Sequence, residues 1–159
     1  MNETLIKPIQ PDEIEWRVQS TKEGKMTVVP YITNRCVMER FDNAFGAANW
    51  KSEFREIQNG FICRLTVKTD TGEVYREDGA SKTGIEPEKG GISDSMKRAA
   101  VQFGLGRGLY SYPRVQIADS GKFIPFWAYP RLKGMTEAIN SGKFKDDYVL
   151  LKQTNDTQP

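Results

Sequence analysis

The sequence predicts an α+β fold: an antiparallel β-β-β-α core, a preceding helix packed on one face of the sheet, and an irregular C-terminal extension. Three observations carry this. From Trp50 to Ser81 apolar and polar residues alternate with a period of two. Two short turns interrupt that stretch, so its three strands are antiparallel neighbours. On either side the apolar residues recur at helical spacing instead.

In chain order, Pro11–Gln19 reads as a short helix, with Pro11 early and Asp12 and Glu13 in its first turn. Residues 22–25 form a turn. Met26–Ile32 is β-branched and reads as a strand, and Pro30 suggests an edge position. Thr33 or Asn34 caps the next helix. Val37, Phe41, Ala44 and Phe45 form its apolar face, and Gly46 closes it.

WKSEFREI, the turn at 58–60 and FICRLTVKT form a hairpin with an Asn-Gly signal. Phe61, Cys63, Leu65 and Val67 make the inward set, while Ile62, Arg64, Thr66 and Lys68 point the other way. A turn at 70–73 leads to the third strand, EVYREDGAS. Residues 82–91, with two glycine signals and a proline, read as a loop.

The stretch GGISDSMKRAAVQFGLGRGLY follows. Ser93 can cap a helix here, with Asp94 in the first turn and Met96, Ala99, Ala100 and Phe103 as its buried stripe. At about 100° per residue, Lys97 falls at the border of that stripe and Arg98 well outside it. Both are expected to face outward. The glycines of Gly104-Leu105-Gly106-Arg107-Gly108 come after the helix, at the negative end of its dipole, so they do not form a dinucleotide loop. Ser81-Lys82-Thr83 lacks the glycine spacing of a P-loop. The remainder reads as two short strands and a weak helix near Leu132–Asn140. The whole is one domain over 1–150 with a flexible tail over 151–159.

Composition narrows the function. With no histidine, histidine general bases and most zinc sites are excluded. Cys36 and Cys63 match no metal-ligand spacing and read as buried thiols in a reducing cytoplasm. No apolar run approaches a membrane span, and the N-terminus lacks a signal-peptide layout, so a cytoplasmic location without membrane partners is expected. The net charge is only +2, but Lys97–Lys133 holds seven basic residues against one acid, a local +6 that leaves −4 for the remainder. Seven aromatics share that stretch. Basic residues interleaved with aromatics suit a single-strand binding groove. Tyr110, Tyr112, Phe126 and Trp127 either fill the core or stack on bases, and a core role is the expectation.

On these residues the chain resembles the Rad-fifty-two type of single-strand annealing protein, especially its compact bacteriophage members. GGISDSMKRAAVQFGLGRGLY is similar to that family's signature. RCVMERFDNAFGAANW resembles its helix and the FG-x-x-x-W leading into its sheet. The resemblance spans roughly Pro11 to Arg114. It implies ATP-independent binding and annealing of single-stranded DNA in recombination or repair, by a ring or filament homo-oligomer, with no cofactor and no enzymatic activity. A single-strand DNA-binding protein is a further partner it suggests, although the eukaryotic C-terminal recruiting regions have no counterpart here. The family's basic pair on this helix carries over to Lys97 and Arg98. A further basic position one turn later is Val101 here. Cys36 stands at the basic position of the first helix, and Arg35 beside it is the candidate. Arg107 and Arg114 complete the expected DNA-binding set.

Two rivals remain. A double-stranded RNA-binding domain shares the order helix, three strands, helix, although the aromatic tail and the GLGRGL ending do not fit it. A magnesium-dependent nuclease would draw on Glu73, Glu77, Asp78, Glu86 and Glu88.

Overall fold

The computed structural model describes residues 2–82 and 87–154. Along the chain run α1 (Glu3–Ile6), β1 (Ile14–Lys22), β2 (Lys25–Ile32), α2 (Asn34–Phe45), β3 (Trp50–Ile57), β4 (Gly60–Thr69), β5 (Gly72–Ser81), α3 (Pro87–Gln102), β6 (Arg114–Ile117), α4 (Ala128–Asn140) and β7 (Tyr148–Leu151). The α+β class is as predicted. The chain divides into two compact units, Met1–Lys7 with Ile32–Arg107, and Pro8–Tyr31 with Gly108–Pro159.

The first unit contains the β-β-β-α core. Its sheet has the order β3-β4-β5, fully antiparallel, with Ile57 opposite Gly60 and Thr69 opposite Gly72. Phe61, Cys63, Leu65 and Val67 are all buried, as their alternation predicts, and α3 packs on β4 and β5. Thr33 caps α2, its hydroxyl accepting from the Cys36 N–H at 3.0 Å. Gly46 ends α2 at φ +86°, a conformation that favours glycine. Phe41, fully buried on α2, meets Trp50 at 5.4 Å and Phe103 at 5.5 Å between ring centroids. One aromatic cluster thereby joins α2, the start of β3 and the end of α3. Buried Arg40 donates to the carbonyls of Thr4 (2.8 Å) and Lys7 (3.2 Å), tying α1 to α2.

Gly60 carries the Asn-Gly signal but is a glycine for a different reason. A Cβ there would collide with the Ala80 carbonyl on the neighbouring strand. Close approach, not a left-handed turn, excludes a side chain.

The second unit has a four-stranded sheet in the order β1-β2-β6-β7. β2 and β6 are antiparallel, while β6 and β7 are parallel and joined through α4, as a parallel pair requires. Met26, Val28, Val115, Ile117, Leu132, Met135 and Leu151 form its core. Trp16, Val18, Ile124 and Trp127 pack against it.

Several expectations are corrected. Pro11–Gln19 is not a helix. Pro11–Glu13 makes one 3-10 turn, and the Glu13 carboxylate accepts the Gln10 N–H at 2.8 Å, so the start signal is real but brief. Ile14, Trp16 and Val18 then alternate as a strand, and two of them reach the core. β2 is interior to its sheet, not an edge. Pro30 is tolerated because pairing with β6 ends at Val28. The helix read from Ser93 already runs from Pro87, so Ser93 does not cap it and part of the 82–91 loop is helical. Of that loop, residues 83–86 lie outside the described residues. The C-terminal extension supplies two strands and a 13-residue helix to a sheet. Leu151, placed in the tail, is buried at the end of β7, and residues 155–159 lie outside the described residues.

Candidate nucleic-acid interface

Helix α3 sits close to its sheet because its contact face is made of small residues. Ala99 and Ala100 are fully buried. One turn before the middle of the helix, a Cβ on Gly91 would lie 2.7 Å from Phe61 Cδ2, so only glycine fits. The helix ends as the glycine signal predicts. Leu105 N–H donates to the Ala100 carbonyl and Gly104 N–H to that of Val101, with Gly104 at φ +102°, the paired bonds of a Schellman cap.

This close seating separates the two cations of the Lys-Arg pair. Arg98 is exposed, as expected, but Lys97 is buried, at 7 % of its full exposure. The expectation that both face outward is therefore corrected. The stripe on α3 is broader than Met96, Ala99, Ala100 and Phe103, since Gly91 and Ser95 are buried too, and Lys97 falls within its flank. A lysine can bury its aliphatic stem in this way.

Arg98 belongs to a small polar network on the same side. Its Nε approaches Asp78 Oδ1 at 3.4 Å. The other oxygen of Asp78 accepts from Gln102 Nε2 at 3.2 Å, and Gln102 also donates to the Glu77 carbonyl at 2.6 Å. The Arg98 side chain remains 56 % exposed, so the ion pair is weak and its guanidinium is available to an anion. Arg76 is a cation that the sequence reading did not single out. It is exposed, and its guanidinium lies 5.8 Å from the centre of the Phe103 ring. Its Cα partner on β4 is the inward Leu65, which puts Arg76 on the sheet face that carries α3. The period of two could have revealed it.

The opposite sheet face has its own arginine pair. Arg55 and Arg64 both donate to Glu77 Oε1, at 2.9 and 2.8 Å, and Arg64 stacks over Tyr75 at 4.4 Å. Hydrogen bonds from Arg64 and then Arg55 hold the Glu77 carboxyl below its usual range, and the same contact raises Arg64. Glu77 and Asp78, two acids of the nuclease alternative, are thus engaged by arginines. Glu86, a third, lies outside the described residues.

The remaining candidates lie on other elements. Arg107 folds back on α3: Nε donates to the Val101 carbonyl at 2.8 Å and an Nη to that of Gln102 at 2.9 Å. It holds the last carbonyls of the helix, where a cation is favoured. Arg35 is exposed in the first turn of α2, and neighbouring Cys36 is buried. Arg114 opens β6 and belongs to the second unit. Both cysteines are buried thiols, and burial pushes Cys63 up to about 12.

The part of the chain that contains α2, the three-strand sheet and α3 matches a known family. The family model described as "Rad52/22 family double-strand break repair protein" matches residues 1–122. The chain belongs to the Rad52/22 family. That match contains the whole three-strand sheet, α2 and α3. Two curated relatives are both single-stranded DNA-binding proteins DdrA. The Deinococcus radiodurans protein is 29 % identical over 119 residues, covering 72 % of this chain and 56 % of the relative. The Deinococcus deserti protein is 28 % identical over 142 residues, covering 79 % and 68 %. The chain thus spans little more than half the length of the first of these. Among the described residues, no helix is long and apolar enough to cross a membrane.

Proposed function

We propose that this Rad52/22-family chain binds single-stranded DNA and anneals complementary strands without ATP, acting as a ring or filament of identical subunits. The observation that carries the reading is Arg98: an exposed guanidinium on the signature helix, engaged by Asp78 in a surface ion pair. Phosphate can replace Asp78 as its partner at little cost, and each such replacement releases counterions from the strand. Arg76 and Arg35 are exposed cations of the same unit and extend the attraction. Lys97 adds positive charge to α3 from within. Arg107 contributes chiefly by holding the helix end. The relatives are single-stranded DNA-binding proteins, which supports the same reading.

Annealing follows from this chemistry without a catalytic group. Cations that hold phosphates leave the bases free and lower the repulsion between two strands, and base pairing supplies the specificity. One protomer reaches few nucleotides, so several subunits gain by effective concentration.

The test mixes complementary oligonucleotides with purified protein and no ATP, and follows duplex formation by fluorescence. Pairing should be accelerated, and duplex RNA should compete poorly for the protein. An unchanged pairing rate would refute the proposal, and preferential binding of duplex RNA would move the protein to the RNA-binding alternative.

A further inference from the structure

We infer that the second unit carries a base-stacking platform for single-stranded DNA, formed by Phe123 and Phe126 with Lys122 beside them. The inference rests on the proposed single-strand binding and adds a contact of a different chemical kind.

Four aromatics of the C-terminal stretch were expected in the core. The structure divides them. Trp127 packs against the core of the second unit, and half-buried Tyr112 meets Trp16 at 6.2 Å between ring centroids. Phe126 is instead 94 % exposed and Tyr110 72 %. Phe123, in the same segment as Phe126, is 83 % exposed.

The backbone that carries the exposed rings is held in place. Ile124, directly after Phe123, and Trp127, directly after Phe126, both pack into the core. Each outward phenylalanine therefore has an inward neighbour as its anchor. On one side, Asp119 Oδ1 accepts the Gly121 N–H at 2.7 Å, fixing a tight turn before Phe123. On the other, the Ala128 and Tyr129 N–H groups donate to the carbonyls of Pro125 and Phe126, so Phe126 sits in the turn that leads into α4. A backbone fixed in advance leaves only the two χ angles of each ring to be ordered when a base covers it.

Charge selects the occupant. Residues 114–133 carry Arg114, Lys122, Arg131 and Lys133 against one acid, Asp119, whose carboxylate is occupied by the turn. A single strand offers phosphates and flat apolar base faces, and this segment offers exposed apolar rings flanked by cations.

The test uses the full chain and two probes of equal length and charge, oligo(dT) and an abasic oligonucleotide. The wild-type protein should prefer oligo(dT) by about tenfold or more, the scale of base–aromatic stacking. Phe123→Ala with Phe126→Ala should lose that preference while retaining its salt dependence, and Phe126→Trp should keep it. Both residues are exposed, so the fold survives the change. If the double variant retains the preference, the inference is overturned. It is also overturned if the variant loses self-association in sedimentation yet keeps its base preference, because the rings then cover a second copy. A wild-type protein that binds neither probe instead overturns the proposed function itself.

Discussion

Arg98 and Asp78 face each other across α3 and β5, Nε to Oδ1, at 3.4 Å. The acid both positions the arginine and competes with DNA for it. Two opposite consequences follow for binding. Arg98→Ala should weaken single-strand binding and reduce the slope of log affinity against log salt by about 0.7, one phosphate contact on a single strand. Asp78→Asn removes the competitor and should tighten binding. Filter binding across a salt series measures both, and an unchanged slope in Arg98→Ala would take this arginine out of the interface.

Lys97 tests whether burial matters for its role. Lys97→Met retains the aliphatic stem and removes the charge. It should weaken single-strand binding less than Arg98→Ala does, measured at the same salt. A larger loss would mean that the lysine emerges to meet the strand.

Arg107 should behave as a helix cap. Arg107→Ala leaves the Val101 and Gln102 carbonyls to water and should lower stability by about 1 kcal/mol in urea unfolding. Its effect on the salt slope should be smaller than that of Arg98→Ala. A full loss of one phosphate contact with no change in stability would reverse the assignment.

Gly91 and Gly60 should tolerate no side chain. Gly91→Ala drives a methyl into the Phe61 ring, and Gly60→Ala drives one into the Ala80 carbonyl. Each should cost about 1–3 kcal/mol, with the larger loss at Gly60, where backbone must yield instead of a ring edge. Thermal unfolding measures both, and wild-type melting of Gly60→Ala would contradict the strand spacing.

Two groups set a pH dependence of stability. The Glu77 pKa is lowered in the folded protein from an ordinary value of 4.5. Its contribution is therefore present above that value and lost as the pH falls below it, through the lower folded pKa. Glu77→Gln should flatten that acid limb. Cys63 behaves in the opposite sense. Its pKa is raised from 9.0 to about 12, so stability present below pH 9 declines as the pH rises toward 12. Cys63→Ser should reduce the alkaline decline in urea titrations at successive pH values.

The hairpin, the third strand and both ends of α2 are legible in the sequence because their signals are local. Alternation from Phe61 to Val67, the Thr33 cap and the glycine after Phe45 each involve residues within one turn or one strand pair. The Gly104 cap is of the same kind. The strand β1 is masked in the sequence because a genuine helix-start signal at Pro11 lasts a single turn before the alternation of Ile14, Trp16 and Val18 takes over. The sheet of the second unit was only partly visible. β6 and β7 have four residues each, and their pairing joins segments some thirty residues apart.

By itself, the sequence determined the α+β class, the order of the central elements, the family signature and the cations available for a strand. Those properties depend on periodicity, caps and residue type. Only the tertiary structure decided which cations face water. Lys97 and Arg98 are neighbours in sequence, but the glycine and alanine face of α3 draws the helix so close to β4 and β5 that one is buried and the other exposed. Arg107 turned back to the carbonyls of its own helix, and Phe126 turned outward while Trp127 turned in. Such choices depend on how closely distant segments pack, a distance no local pattern records.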